Sequence, residues 1–416
     1  MLFPSWPNPQ KQIINLGLER IKELLARLNN PQHFLPPIVH IAGTNGKGST
    51  LAFIKSILQN AGYKIHSYTS PHLVEFNERI ELANKMISDD FLNEVSLECK
   101  KASLKDQPLE LSFFEGTTAM AFLAFSKVKA DILLLETGLG GEFDATNVVD
   151  QVLASIITTI DFDHQEYLGN SLQEIAKAKA GIIKKNCLTI TTNQHQEVIE
   201  VIKNQAEKLN SNLFYANQLG FNFDNLELGL KGDHQKQNAQ LAVSFIKNQK
   251  LFKITDEQIK IGLKNVKWRG RLEKINDPQI LKLLANNCQL YIDGSHNMQG
   301  ASTVYEFLKN FHNQKITLIF SMLKDKPCEE FLAKIVNSKN YQISEIILTE
   351  IHDQNRSMSL DELEKIVKKF NIKYFCIKNY QEIFEKINQL HSQVVVLTGS
   401  LYLVGEFLKK LASNAK

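Results

Sequence analysis

Cysteine is scarce. Five stand in 416 residues (Cys99, Cys187, Cys288, Cys328 and Cys376), with no C-x-x-C and no zinc-ligand spacing. This excludes a disulfide-stapled scaffold or a zinc ribbon and leaves reduced core thiols. Long hydrophobic runs are missing as well: Ile132–Leu135 and Val394–Leu397 are strand-length, far below a bilayer span. The opening MLFPSWPNPQ has no apolar stretch of the signal-peptide kind. Charge of one sign is nowhere concentrated. Lys and Arg number 48 against 45 Asp and Glu, a net of +3, and the lysines are scattered, so there is no nucleic-acid footprint. Long internal repeats and low-complexity tracts are also absent. These gaps predict a soluble, cytoplasmic protein with no nucleic-acid or membrane partner.

What is present is ordinary globular composition, 43% apolar and 22% charged, at a length that predicts two or three domains. One stretch organises the rest: Ile38–Thr50, reading IVHIAGTNGKGST. A β-branched run enters a glycine-rich turn, Lys47 and Ser49 close it, and an apolar-periodic helix follows. Glycines let backbone N–H groups approach phosphate oxygens, and the helix N-terminus adds a favourable field. Lys47 would supply charge to the outer phosphates and Ser49 a hydroxyl near a metal. The spacing departs from G-x-x-x-x-G-K-[ST], because Gly48 separates Lys47 from Ser49. The plainer alternative is a glycine turn between strand and helix.

Along the chain, apolar spacing from Ile13 to Leu28 predicts a first helix. A strand is expected over Tyr63–Thr69, then a hairpin about Ala83-Asn84 and a helix opened by Ser88, Asp89 and Asp90. A helix over Phe113–Val128, a buried strand over Asp131–Glu136 and a strand over Val152–Ile160 follow. Further helices are expected at Leu172–Ala180, His195–Leu209 and His234–Asn248, whereas Leu213–Leu230 reads only as short and β-like. From Leu290 strands at Leu290–Asp293, Ile316–Phe320, Glu345–Thr349, Tyr374–Ile377 and Val394–Thr398 alternate with helices. That rhythm predicts a smaller Rossmann-like parallel α/β domain, without a G-x-G-x-x-G that would make it dinucleotide-binding. Thinning of the apolar pattern over 273–287 places the boundary there, giving domains 1–287 and 288–416.

Polar residues just after strands face the ligand crevice of an open parallel sheet. Ser70, Glu136, Asp163 and His164 are so placed. Glu136, at the tip of ILLLE beside a phosphate loop, reads as a magnesium ligand, or more plainly as a helix cap. His164 taken alone reads as structural, and nothing separates Lys179 from Lys177 in AKAKAG. In Asp293-Gly294-Ser295-His296-Asn297 the Asp or the Asn either caps the next helix or faces a ligand. Arg269 and Arg271 either reach a phosphate or form surface ion pairs.

Taken together, INLGLER (14–20), HIAGTNGKGST (40–50), TSPHL (69–73), FNERI (76–80), LSFFEGTTAMAF (111–122), ETGLGGEFDATN (136–147), DHQEYLG (163–169), KAGI (179–182), GDHQKQNA (232–239), GRLE (270–273), DGSHN (293–297) and GSLYLVGE (399–406) resemble the folylpolyglutamate synthase/dihydrofolate synthase family. The family is related to the Mur peptide ligases, and the motifs occur in family order over nearly the whole chain. The resemblance implies a P-loop-containing, Mur-ligase-like domain followed by the smaller C-terminal one. It implies that Asn45, Gly46, Lys47, Gly48 and Ser49 hold ATP phosphates, and that Asn238, Arg271 and Asp293 also contact ATP. Ser70, Glu136 and His164 match magnesium ligands. Lys179 matches a lysine carboxylated on its amine that helps hold a second Mg2+, and Lys47, Glu136, His164 and Lys179 form the catalytic set. Asn15, Leu16, Gly17, Ser112, Phe114, Phe143, Asp144 and Ala145 fall where dihydropteroate binds in bifunctional members. Two departures stand out: Glu142 replaces the family's usual arginine, and Arg269-Gly270-Arg271 replaces PGR.

The implied chemistry is ATP-driven amide formation through an acyl phosphate, adding L-glutamate to dihydropteroate and to reduced folates. The implied partners are these small molecules, and a monomer is expected. Two narrower or neighbouring readings are a folylpolyglutamate synthase alone and a Mur-type ligase. The latter usually carries an extra N-terminal domain, whereas only 1–39 precede the loop strand here. A non-catalytic nucleotide-binding scaffold would be expected to lose Glu136, His164 or Lys179, and all three are present.

Overall fold

A computed structural model describes residues 6–7, 16–218, 220–224, 226–282, 284, 288–352 and 354–414. They form two compact units, 1–229 with 235–267, and 230–234 with 268–416. The long segment of the second unit runs from Trp268 and takes in the stretch 273–287 where the composition thins. Within that stretch a short strand, Glu273–Lys274, pairs antiparallel with Ile292 and Tyr291 and so belongs to the second sheet.

The first unit is built on β1 (Ile38–Ala42), β2 (Ile65–Tyr68), β3 (Ile80–Leu82), β4 (Lys85–Met86), β5 (Ile132–Glu136), β6 (Ala154–Ile157), β7 (Leu188–Thr191) and β8 (Asn212–Tyr215). Their order across the eight-stranded sheet is β4-β3-β2-β5-β1-β6-β7-β8. All neighbours are parallel except the β2-β3-β4 edge. β1, β5 and β6 are buried along their whole length, as the central strands of a sheet covered on both faces must be, with β1 carrying His40 and β6 Ser155 among their apolar residues. The β3–β4 hairpin turns at Ala83 (φ 47°) and Asn84 (φ 74°), the two left-handed positions of a tight hairpin.

One face carries the helices Glu19–Arg27, Asp89–Leu104 and Phe113–Lys127, with Ile21, Leu24, Phe122, Leu133 and Leu135 in a shared core. Helices Leu172–Ala180 and Gln196–Lys208 share a second core with Ile157, Ile175 and Val198. Each such fully buried aliphatic or phenyl group contributes roughly 1.5–3 kcal/mol. The caps expected from sequence are formed, since Ser88 accepts from Phe91 N. The first helix begins at Glu19, with Leu18 as its N-cap. The part expected over 13–15 lies outside the described residues, and Leu16 and Gly17 precede the helix. A helix over Asp256–Asn265, unforeseen, packs on Lys47–Asn60. Ser56 Oγ donates to Gly262 O at 2.7 Å, and a Cβ at residue 262 would strike the Ile57 backbone.

The second unit contains β9 (Glu273–Lys274), β10 (Gln289–Ile292), β11 (Ile316–Phe320), β12 (Ile343–Leu348), β13 (Lys373–Cys376) and β14 (Val394–Thr398), ordered β13-β12-β11-β14-β10-β9. Five strands are parallel, as the βα rhythm predicts, and β9 adds an antiparallel edge. Among the described residues no helix is long and apolar enough to cross a membrane.

Candidate functional site

β1 lies between β5 and β6, so the loop that leaves it emerges at the middle of the sheet's carboxyl edge. The loop is held from beneath by β6 and its continuation. Thr44 N donates to Thr159 O at 2.8 Å, Thr158 Oγ1 to Asn45 O at 2.7 Å, and Thr44 Oγ1 to Asp161 O at 2.9 Å. A Cβ at Gly43 would overlap Thr158 Oγ1. Gly46, at φ 90°, caps the helix Lys47–Asn60 in the left-handed region, and a Cβ there would overlap Asn238 Oδ1. Asn238 Nδ2 donates to Gln235 Oε1 at 3.0 Å, and Gln235 Nε2 to Ser49 Oγ at 3.4 Å. The cradle is thus tightened by two buried amides of the helix His234–Asn248. Gln235 carries no role in the sequence reading, where it is visible only as a letter of GDHQKQNA.

Two lysines converge on the loop. Lys47 Nζ donates to Gly43 O (3.0 Å) and Thr44 O (3.2 Å), and Lys179 Nζ donates to the same Gly43 O at 2.9 Å. The structure separates the two lysines that sequence could not, because Lys177 is exposed and Lys179 is buried. Burial, and then the charge of Lys47, push the Lys179 ammonium down to about 7, against the opposing pull of Asp163 and Asp144. A fraction of neutral amine near pH 7 is the form able to add CO2.

Glu136 ends β5 level with Ile41 and is buried, and Ser70 N donates to its Oε2 at 3.3 Å. The Ser70 loop is fastened by Glu78, whose carboxylate accepts from Leu73, Val74 and Glu75 N. His164 adopts φ 52° before a short helix, with Nε2 3.8 Å from Asp163 Oδ2. Among the described residues no group of three or more His, Cys, Asp or Glu side chains gathers as a metal cluster. The implied metal set leans instead on a hydroxyl and a lysine besides Glu136 and His164. Carboxylate and hydroxyl oxygens beside a phosphate cradle are the donor chemistry of Mg2+, so Ser70 and Glu136 fit it.

Of the residues expected at dihydropteroate, Asn15 lies outside the described residues. Leu16 is exposed, and Gly17 adopts φ 154°. Ser112 is the N-cap of Phe113–Lys127 in a capping box with Glu115, and Arg20 bonds Glu115 at 3.0 Å. The Phe114 ring lies against Gly138, where a Cβ would collide with it. Phe143 is 51% exposed, whereas Asp144 and Ala145 are buried. Asp144 faces inward and accepts from Gly138 N, Leu139 N, Thr146 N and Thr146 Oγ1. Burial raises its pKa, and these four donors oppose the rise.

In the second unit Asp293 is buried and accepts from Leu272 N (3.0 Å) and Ser295 N (2.9 Å). The helix that follows is capped by Asn297, not Asp293. Asp293 instead holds Leu272 at φ 46° within the Arg271 turn. A Cβ at Gly294 would meet Arg271 Nη1, which places Arg271 and Asp293 at one point of this unit. Arg269 pairs with Glu273 at 3.6 Å on the surface. His234, unremarked in sequence except within its motif, is shifted down by burial, an effect that Asp293 opposes and Arg271 reinforces.

Residues 41–264 match the Mur ligase middle domain, and 277–410 match the dihydrofolate synthetase C-terminal domain. A dihydrofolate synthase/folylpolyglutamate synthase of Bacillus subtilis is 34% identical, over 95% of each chain. The chain belongs to the dihydrofolate synthase/folylpolyglutamate synthase family. This family member is therefore an ATP-dependent ligase. A folylpolyglutamate synthase of Thermotoga maritima is 32% identical with a TM-score of 0.80, over 96% of this chain and 94% of that one. A bifunctional folylpolyglutamate synthase/dihydrofolate synthase of Yersinia pestis, complexed with AMPPNP and Mn, is 25% identical with a TM-score of 0.83, over 97% and 96%. The two family domains correspond to the two sheets, and the loop after β1 falls inside the Mur ligase match.

Proposed function

We propose that this chain is bifunctional, joining L-glutamate to dihydropteroate and further glutamates to reduced folates while ATP is converted to ADP and phosphate. The observation that carries the reading is the convergence of Lys47 and Lys179 on one loop carbonyl beside the Ser70–Glu136 pair. One cationic lysine, a second lysine whose amine is held partly neutral, and a buried carboxylate beside a glycine cradle suit a reaction in which charge moves between phosphate oxygens.

The backbone of 43–49 would hold the phosphates and Lys47 would neutralise the outermost, with Asn238 beside Gly46. Arg271 and Asp293 keep the ATP role that family membership implies. Ser70, Glu136, His164 and a carboxylated Lys179 would hold the divalent cation, as two ions in the full set. That cation supplies charge neutralisation of the transferring phosphoryl group. Lys179 would gain its carboxylate when the neutral amine adds CO2 and releases one proton. The folate carboxylate oxygen attacks the γ-phosphorus, the bond to ADP breaks, and an acyl phosphate results. The free α-amine of glutamate then attacks the acyl carbon, phosphate departs, and the nitrogen loses a proton to become the amide. Leu16, Phe114 and Phe143 would meet the pterin, with Gly17, Ser112, Asp144 and Ala145 shaping the segments that carry them.

Purified protein given ATP, glutamate and either dihydropteroate or tetrahydrofolate tests this directly. Products heavier by one glutamyl unit are expected from both acceptors, with ADP released in step. Turnover of tetrahydrofolate alone would reduce the reading to a folylpolyglutamate synthase, and turnover of neither would end it.

A further inference from the structure

Three polar groups form a line that ends on Asp144, and the other two, His40 and Thr146, have no place among these roles. His40 lies in the middle of β1 with its side chain wholly buried. Its Nε2 is 2.8 Å from Thr146 Oγ1, and that hydroxyl donates to Asp144 Oδ1 at 2.5 Å. A hydroxyl has one proton. With that proton on the Asp144 bond, the Thr146 oxygen must accept from His40, which fixes the ring as its Nε2–H tautomer. The other nitrogen, Nδ1, has no partner among the described residues. Burial, reinforced by Lys184, holds the ring's pKa down at about 3, so it is a neutral donor throughout the working range.

The far end of the line is a loop clamp. Asp144 Oδ2 takes the N–H groups of Gly138 (2.9 Å) and Leu139 (2.8 Å), the turn that leaves β5. On its other side the same loop is tied to the end of the helix Leu172–Ala180. Glu142 N donates to Ala178 O at 2.7 Å, and Asn147 Nδ2 donates to Glu142 O and Gly181 O. Between the two clamps only Glu142 and Phe143 face outward.

We infer that His40 is a positioning residue for the pterin-bearing substrate: through Thr146 and Asp144 it fixes the loop that presents Phe143. This deepens the bifunctional reading and rests on its assignment of Phe143 to the pterin. A hydrophobic residue at position 40 would leave the Thr146 oxygen without its donor. A lysine would bring a charge into a fully buried place. A neutral imidazole meets both constraints.

Thr146→Val keeps the side-chain shape and removes the hydroxyl, and Thr146→Ser keeps the hydroxyl. The valine variant should raise KM for dihydropteroate about tenfold, the worth of one buried hydrogen bond, while KM for ATP stays within about twofold. The serine variant should stay near wild type. In wild-type protein labelled with 15N-histidine, His40 should show a bonded Nε2–H and no titration between pH 5 and 9. Gly138 and Leu139 amides should exchange faster in Thr146→Val. The inference is overturned if the valine variant melts earlier with both KM values unchanged or equally raised. It is also overturned by an Nδ1–H tautomer, or by unchanged amide exchange. Should the wild type use neither acceptor, the bifunctional reading fails, and tautomer and exchange still decide the relay without turnover. The wild-type tautomer decides it even if the valine variant does not fold.

Discussion

Replacing Gly46 with alanine tests whether the cradle is held by the amide contact inferred from geometry. At φ 90° an L-residue occupies the left-handed region, at a cost of roughly 1–2 kcal/mol. The new Cβ also overlaps Asn238 Oδ1, and Asn238 can yield only by giving up its bond to Gln235. That bond is worth about 1 kcal/mol, so Gly46→Ala should cost about 2–3 kcal/mol. Asn238→Ala alone should cost about 1 kcal/mol, because it loses the same bond and no more. In the double variant the bond is lost once, so its cost should remain about 2–3 kcal/mol instead of the additive 3–4. Urea denaturation of the four proteins, read as midpoints at constant m, supplies the cycle. Coupling near 1 kcal/mol is expected, and strict additivity, within about 0.3 kcal/mol, would refute the contact argument.

Other consequences are as direct. Lys179 is lowered from 10.5 to about 7, so between those values the unfolded chain binds more protons and stability rises with pH. The burial penalty is whole below about pH 7. In CO2-depleted buffer the stability gap between Lys179→Met and wild type should therefore narrow by up to about 1.4 kcal/mol per unit from pH 7 to 9, and a pH-independent gap would contradict the assigned burial. Glu136→Gln keeps an acceptor for Ser70 N yet removes the charge. It should stay folded by circular dichroism and lose ADP release by at least about a hundredfold, and near-normal release would remove Glu136 from the site. Glu78→Ala strips three N–H groups of one acceptor and should cost about 2–3 kcal/mol in denaturant, with proteolysis newly admitted at 71–75. Protection of that segment in the variant would show that the carboxylate does not fasten it.

The central strands and the phosphate loop were legible because they combine two independent signals, a β-branched run and glycines at a strand-to-helix junction. The ordered motifs carried the family. The β3–β4 and β13 edges were legible, the other two edges were not. β8 is a half-buried strand of four residues, and β9 has two, too short for any period to establish itself. The helix Asp256–Asn265 escaped notice because its core residues are Ile259, Gly262 and Leu263, and a glycine in a contact face breaks the apolar count. The domain boundary was read from thinning apolar residues, and the stretch that thins also carries the two-residue strand that joins the second sheet. At the site, a motif says that Asp144 matters but not which way it points. Direction depends on donors at 138, 139 and 146 that exist only once the loop has closed. Lys177 and Lys179 differ for the same reason, being neighbours in sequence and opposites in burial.

The cradle's partners also set a timetable. Asn45 meets Thr158 across 113 residues, Gly43 meets Lys179 across 136, and Ser49 meets Gln235 across 186. During synthesis at about 5–20 residues per second, roughly 10–40 s pass between the appearance of the glycine loop and that of its last support. For roughly the first half of that interval β1 has emerged without β5 or β6 beside it, its two hydrogen-bonding edges open. A chain stalled before Gln235 would carry the whole glycine motif and lack two of the amides that brace it. The capacity to grip a nucleotide is thus acquired late on the ribosome, well after the letters that announce it.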